Sequence, residues 1–432
     1  MRRRTLLGGA AALALAGSGL IPVGRPAVAQ GHAARIAIVG GGAAGLTVAN
    51  LLSHRLSDAA ITLCEPSASH YYQPGFTLVG AGVKTVDYVR LKTADYLPSG
   101  IEWVQDSVAE IDPEGRSVTT GSGRRIPYDF LVVATGLSLD YDAIEGMSRD
   151  VIGRNGIASV YAGPEAALAS WQALSAFADK GGIGLFGRPE TEMKCAGAPL
   201  KQTFLADDCL RRRATRDRSR IVYNAPGRAL FSVPAVSERA EQLFRRQDVT
   251  VNRDHVLRRV DPVRRIATYA TPAGPVEMQW DFINVIPPMR APAVVRQSPL
   301  PWQDGPFAAD GWLEVDKATL RHRRYPNVFG VGDVNGVPKG KTAASVKWQA
   351  PVAVDHLVAG IAGGESRAAY GGHTSCPLIT RIGSAILVEF DYDNNLTPSF
   401  PLIDPLAEGW VPWAIKVIGL KATYTAMLRG KA

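Results

Sequence analysis

A strand, a glycine turn, a helix and a second strand follow one another from Ala34, and no other stretch constrains the fold of this chain as tightly. ARIAIVG is an apolar strand, GGGAAG interrupts it, AAGLTVANLLSHRL has helical spacing, and AITLCEP returns to strand. Gly40 permits the tight turn, Gly42 lets backbone approach a pyrophosphate, and Gly45 lets the helix pack on the strand, with Ala43 and Ala44 completing the loop. Glu65 stands 20 residues beyond Gly45, where a carboxylate bonds a ribose hydroxyl. This βαβ unit predicts an α/β fold that binds a dinucleotide. With 432 residues, 46% of them hydrophobic and 20% charged, the chain is long enough for two or three domains.

Two later strands end in small residues: YDFLVVATG from Tyr128 to Gly136, and YPNVFGVGD from Tyr325 to Asp333. They resemble the crossings of flavoproteins with two dinucleotide domains, which implies that the nucleotide is FAD. The same likeness sets Ala134, Thr135, Gly136, Gly332 and Asp333 beside the cofactor, Asp333 at its ribityl-phosphate region. It implies an FAD-binding domain over 34–151 and 296–370, a second Rossmann-like domain over 152–295, and a C-terminal segment over 371–432. Inside the insert, Gly182, Gly184 and Gly187 repeat the GxGxxG spacing. Arg188 and Pro189 follow the third glycine and no helical periodicity begins there, so these glycines are expected within a strand and its exit, without NAD(P).

The formal charge is +8, and about half of it comes from Arg2, Arg3, Arg4 and Arg25 in the first 29 residues, which hold no acid. A charged start, an apolar run from Leu6 to about Leu20 and the small-x-small stop Ala27-Val28-Ala29 predict an export signal. Arg3-Arg4-Thr5-Leu6-Leu7 looks like a twin-arginine pattern, so the expected location is the periplasm, on the outer face of a bacterial inner membrane. The basic run Arg211 to Arg220 interleaves no aromatics and carries Asp217, so it reads as a solvated helix end and not as a nucleic-acid patch.

Four cysteines occur. Cys64 in a strand and Cys209 on a helical pattern read as packing residues. Cys195 precedes Ala196-Gly197-Ala198-Pro199 and the helical run LKQTFLADDCL, so the helix start and Lys194 would favour its thiolate. Cys376 precedes Pro377, 181 residues away, and on residue chemistry alone the two are either a redox pair or inert. Lys341-Thr342 opens a further helix, with Lys341 either a cation at the flavin or a surface lysine. His70, His322 and Glu192 are proton-transfer candidates by type only.

HYYQPGF at His70, MKCAGAPLK at Met193, TLRHRRYPNVFGVGD at Thr319, KTAAS at Lys341, TSCPL at Thr374 and ILVEFDYD at Ile386 follow in order. Together they resemble sulfide:quinone oxidoreductases, most closely the branch that includes the mitochondrial enzymes, from about residue 34 to the C-terminus. The resemblance implies that Cys195 and Cys376 are the redox cysteines, bridged directly or through an extra sulfur. Sulfide would leave a persulfide on Cys376 and a thiolate on Cys195, which passes electrons to FAD and so to quinone. The sulfur acceptor would be sulfite, a small thiol, cyanide or polysulfide. From Trp410 onward, Trp410, Trp413, Ala414, Val417, Leu420, Tyr424, Met427 and Leu428 recur at three- and four-residue steps, an amphipathic helix pattern. Packing explains such a stripe, but family members dock on one leaflet through C-terminal elements, so it is expected to face a membrane. Two other functions remain open: the flavin subunit of a flavocytochrome c sulfide dehydrogenase, and a non-catalytic sulfide sensor.

Overall fold

The computed structural model describes residues 33–431, so the expected export signal lies outside the described residues. Five parallel strands form the first sheet, in the order Val328–Gly330, Phe130–Val133, Arg35–Val39, Ala60–Cys64 and Glu102–Val104. RIAIV sits at its centre with four of its five residues buried. Ile36 and Ile38 pack with Leu46, Ala49 and Leu52 of the Ala43–Arg55 helix and with Val346 and Ala350 of the Ala343–Ile361 helix. Ala37 and Val39 enter the core on the opposite face. Both faces are covered, as a parallel sheet requires, and each buried Ile contributes about 1.5–3 kcal/mol.

The second parallel sheet runs Ile157–Ala158, Phe282–Asn284, Gly182–Gly187, Ser219–Asn224, Val249–Asn252. Helices Pro164–Lys180, Ala198–Arg212 and Pro234–Arg246 supply Phe177, Phe204 and Phe244 to a core shared with Phe186, Tyr223 and Phe282 of the strands. Gly182, Gly184 and Gly187 lie inside a strand, and the next helix does not begin until Ala198.

The arginine run is less solvated than the sequence suggests. Arg211 and Arg212 pair back to Asp207 and Asp208, but Arg216 is buried, its guanidinium 2.6 Å from Asp207. The C-terminal stripe also differs from expectation. Its chain is helical over Trp410–Ala414, widens to a π turn over Ile415–Gly419, and is helical again over Leu420–Leu428. The wide turn shifts the helical phase, so Val417, Tyr424, Met427 and Leu428 are buried in core packing while Trp410, Val411 and Ile418 are exposed. The three- and four-residue stripe is therefore a packing face from Val417 onward, whereas Trp410 at its start is exposed and Val411 and Ile418 lie off it.

Candidate functional site

A cavity of ≈ 690 Å³ runs along the carboxyl end of the first sheet to the two cysteines. Gly40, Gly42, Ala43, Ala44, Glu65, Ala134, Thr135, Gly136, Gly332, Asp333, Lys341, Thr342, Cys195 and Cys376 all line it. Gly45 does not. It sits one turn into the helix, where a Cβ would lie 1.7 Å from the Gly40 carbonyl, so only glycine allows this approach of helix to loop. Around Gly42 a Cβ would meet no protein atom within 4 Å, which leaves the loop open to a ligand.

The Glu65 carboxylate accepts from the backbone N–H groups of Gly41 at 2.7 Å and Ser67 at 2.8 Å, which fixes it at the cavity wall with lone pairs to spare. Thr342 caps the Ala343–Ile361 helix, its hydroxyl accepting from Ser345 N–H at 3.1 Å, and Thr342 and Ala343 bring that N-terminus to the cavity. Asp333 is half-buried, and desolvation raises the pKa of its carboxyl. Burial lowers that of Lys341 to about 8. The Lys341 ammonium donates to the carbonyls of Asp333 and Asn335 and lies over the Trp312 ring, so it is neither a surface lysine nor a free cation. The hydroxyls of Tyr72, Thr77 and Thr135 line the same cavity, each with no hydrogen-bond partner among the described residues. An open glycine loop, a helix N-terminus and waiting donors fit a flavin dinucleotide.

At the far end, Cys195 takes a left-handed conformation, φ 50°, immediately before its helix. Its N–H donates to the Lys341 carbonyl at 2.9 Å, and the Tyr161 hydroxyl donates to its carbonyl at 3.3 Å. Non-glycine residues held in this region concentrate at functional sites. Cys376 follows the Thr374–Ser375 strand and donates its N–H to the Val388 carbonyl at 2.8 Å. A Cβ on Gly197 would fall 2.6 Å from Cys376 Sγ, so the glycine at the helix start is what admits this sulfur.

Two buried lysines that the sequence reading did not single out complete the site. Lys201 Nζ lies 3.3 Å from Cys195 Sγ and 4.0 Å from Cys376 Sγ. Lys416, on the π turn, donates to the Pro74 carbonyl at 3.0 Å; burial first, and then the charge of Lys201, lowers its pKa to about 8. The hydrogen bond from Cys376, then the Lys201 and Lys416 charges, outweigh burial and hold the Cys195 thiol well below its ordinary value. The same hydrogen bond and burial push Cys376 well above it. Burial disfavours the Lys201 charge, yet the two sulfurs overcome this and raise its pKa. Lys194, expected to stabilise the thiolate, donates instead to Gln73 Oε1 at 2.7 Å.

Of the remaining candidates, His70 lines the cavity, bonds the Tyr424 hydroxyl at 2.6 Å and is pushed down to about 4 by burial. His322 is buried against the Leu300 carbonyl away from the cavity, and Glu192 is exposed. Burial raises Cys64 to about 11, and Cys209 is half-buried on its helix, both distant in role from the pair.

A family model described as pyridine nucleotide-disulphide oxidoreductase matches residues 34–166. The mitochondrial sulfide:quinone oxidoreductase of Dictyostelium discoideum is 37% identical over 399 residues, which cover 92% of this chain and 86% of that protein. The chain belongs to the sulfide:quinone oxidoreductase family. The mitochondrial family member of Mus musculus is 35% identical, covering 91% of this chain and 86% of its own. The solved sulfide:quinone oxidoreductase of Aquifex aeolicus shares the fold, with a TM-score of 0.77, 21% identity and 92% of each chain covered. The protein is thus an enzyme of this family, and FAD is its cofactor.

The periplasmic location read from the N-terminus is overturned, because the three relatives at least 31% identical, which cover 88–92% of the chain, carry mitochondrial names. An arginine-rich, acid-free leader is shared by secretory signals and organellar transit peptides, so that signal does not separate the two destinations.

Proposed function

We propose that this enzyme oxidises sulfide at the Cys195–Cys376 pair, passes two electrons to FAD and then to a membrane quinone, and releases sulfur to a nucleophile. One observation carries the reading: Lys201 Nζ lies 3.3 Å from Cys195 Sγ and 4.0 Å from Cys376 Sγ at the wall of the cavity that the glycine loop also lines. FAD, when bound, supplies a two-electron acceptor that quinone can reoxidise.

Cys195 and Cys376 are not bridged in the structure, and Lys201 is a neighbour of both sulfurs. In the oxidised pair the sulfurs are bridged, and hydrosulfide attacks Cys376 Sγ. The new S–S bond forms there, the bond to Cys195 breaks, and its electron pair leaves on Cys195 as thiolate. A low thiol pKa makes Cys195 the better leaving group, and the Lys201 ammonium neutralises the charge it gains. The acceptor nucleophile, such as sulfite, a small thiol, cyanide or polysulfide, then takes the outer sulfur and leaves Cys376 as thiolate. The two thiolates would then close their bridge again, giving up two electrons that bound FAD would accept, which balances the cycle.

We assign FAD binding to 34–151 and 296–370, the Cys195-bearing Rossmann-like domain to 152–295, and the Cys376 segment with the quinone side to 371–432. The two parallel sheets fall within the first two of these assignments. Phe400, Leu402, Trp410, Val411 and Ile418 expose large apolar side chains within 19 residues, which supports docking on one leaflet. No helix among the described residues is long and apolar enough to cross a membrane.

Anaerobic titration tests the reading. With sulfite present as sulfur acceptor, one equivalent of sulfide bleaches the flavin, and a short-chain quinone restores it. No bleaching, or recovery with a cytochrome c and not with quinone, overturns it.

A further inference from the structure

The second parallel sheet ends in a small polar crevice that takes no part in the chemistry above. Asn224 and Asn252 close neighbouring strands in register with Gly187, and Asn284 closes the strand on the other side. Carboxyl ends of open parallel sheets are where such folds take up ligands. The crevice measures ≈ 30 Å³ and is lined by Gly187, Arg188, Asn224 and Asn284, with His255 and Arg258 at its side.

Its polar groups are donors without acceptors. Asn224 and Asn284 are 1% and 4% exposed, and the Nδ2 of each, with Nε of Arg188, has no hydrogen-bond partner among the described residues. Asn224 Oδ1 accepts from Asn252 Nδ2 at 2.9 Å, which leaves the Asn224 amide N–H groups as its free edge. The Tyr269 phenol stands beside that amide. Glu190 is paired with Arg258 at 2.7 Å, whereas Arg188 has no carboxylate partner among the described residues, so the balance at the crevice is positive.

A buried donor without an acceptor is unfavourable, and two amides with a guanidinium match the oxygens of an anion. One water needs about 10–15 Å³, so the crevice exceeds one water and falls far short of a nucleoside diphosphate. We propose that this crevice binds a small oxyanion of the size of phosphate, sulfate or sulfite, held by Arg188, Asn224 and Asn284. The anion braces the loop that leads to Cys195. Arg188 opens that loop, and Thr191 and Lys194 within it contact Met289, through Met289 N–H to Thr191 Oγ1 at 3.1 Å and Lys194 N–H to Met289 Sδ at 3.4 Å.

The test uses the flavin-loaded enzyme. Inorganic phosphate raises the melting temperature of the wild type along a saturable curve. Asn284→Asp, which keeps the side-chain shape but repels an anion, and Arg188→Gln each weaken the apparent phosphate affinity at least about tenfold with an unchanged flavin spectrum. In selenate-soaked crystals, anomalous density appears within hydrogen-bond distance of the two asparagine amides. An equal phosphate response in both variants, selenate bound only elsewhere, or water alone in the crevice overturns the proposal. ADP that binds there more tightly than phosphate also overturns it, in favour of a nucleotide site.

Discussion

The two parallel sheets each carry a strand ending in glycines at GxGxxG spacing, and they put it to opposite uses. In the first, the chain passes from Gly42 directly into the Ala43–Arg55 helix, and space beside the loop stays open. In the second, a Cβ on Gly187 would lie 2.5 Å from the Asn224 carbonyl, because the strand packs tightly to its end. The chain then runs through Arg188 and Pro189 to Cys195, and helix begins only at Ala198. What distinguishes the loops is where the helix starts. An immediate start aims N–H groups at a phosphate, and a delayed one leaves room for a cysteine in the turn.

The largest expected effect separates the sheets by chemistry. Cys195→Ser and Cys376→Ser each lower sulfide-dependent flavin reduction by roughly three orders of magnitude or more while flavin content stays at the wild-type level. Stopped-flow bleaching checks this, and unaltered bleaching in Cys195→Ser removes the pair from the mechanism. Next comes Gly42→Val, whose Cβ meets no protein atom within 4 Å and whose methyls fill the phosphate approach. The expected loss is about 3 kcal/mol of FAD affinity, roughly a hundredfold, read as flavin per protein after dialysis.

Much of the first sheet was legible because local signals agree there. Strand pattern, glycine spacing and the acid at Glu65 all lie within one 32-residue stretch, 34–65. The second sheet's glycines were legible for the opposite reason, since Pro189 forbids the helix a nucleotide loop needs. Lys201 was not legible, because its approach to Cys195 depends on the left-handed turn at Cys195, which no residue in MKCAGAP advertises. Lys416 was hidden by distance: it reaches the site by bonding a carbonyl 342 positions earlier. Its π turn also shifted the C-terminal stripe, whose regular spacing assumes 3.6 residues per turn throughout.

Lys201 gives the third comparison, since it is the second sheet's helix that supplies the charge at the sulfur. Lys201→Met removes an ammonium 3.3 Å from Cys195 Sγ, and the thiol pKa, now held low, rises. Less thiolate is present at any given pH below the new value, so the acid limb of the flavin-reduction profile moves to higher pH. At neutral pH the rate falls about ten- to a hundredfold, and raising the pH recovers it. Lys201→Arg restores most of the profile. A variant that is slow at every pH, with an unmoved limb, shows that Lys201 supports packing and not thiolate charge.

The smallest effect breaks the comparison most directly. Gly187→Ala mirrors Gly42→Val in the other loop, but its Cβ meets backbone and not a ligand space. It is expected to destabilise the fold by about 1–3 kcal/mol, with the flavin content and the rate of sulfide-driven bleaching near wild type. Thermal melts and flavin absorbance measured on one preparation read both quantities. If Gly187→Ala instead releases flavin with no change in melting temperature, the second loop is not closed on its own sheet. The division between a cofactor loop and a cysteine-bearing strand end then fails.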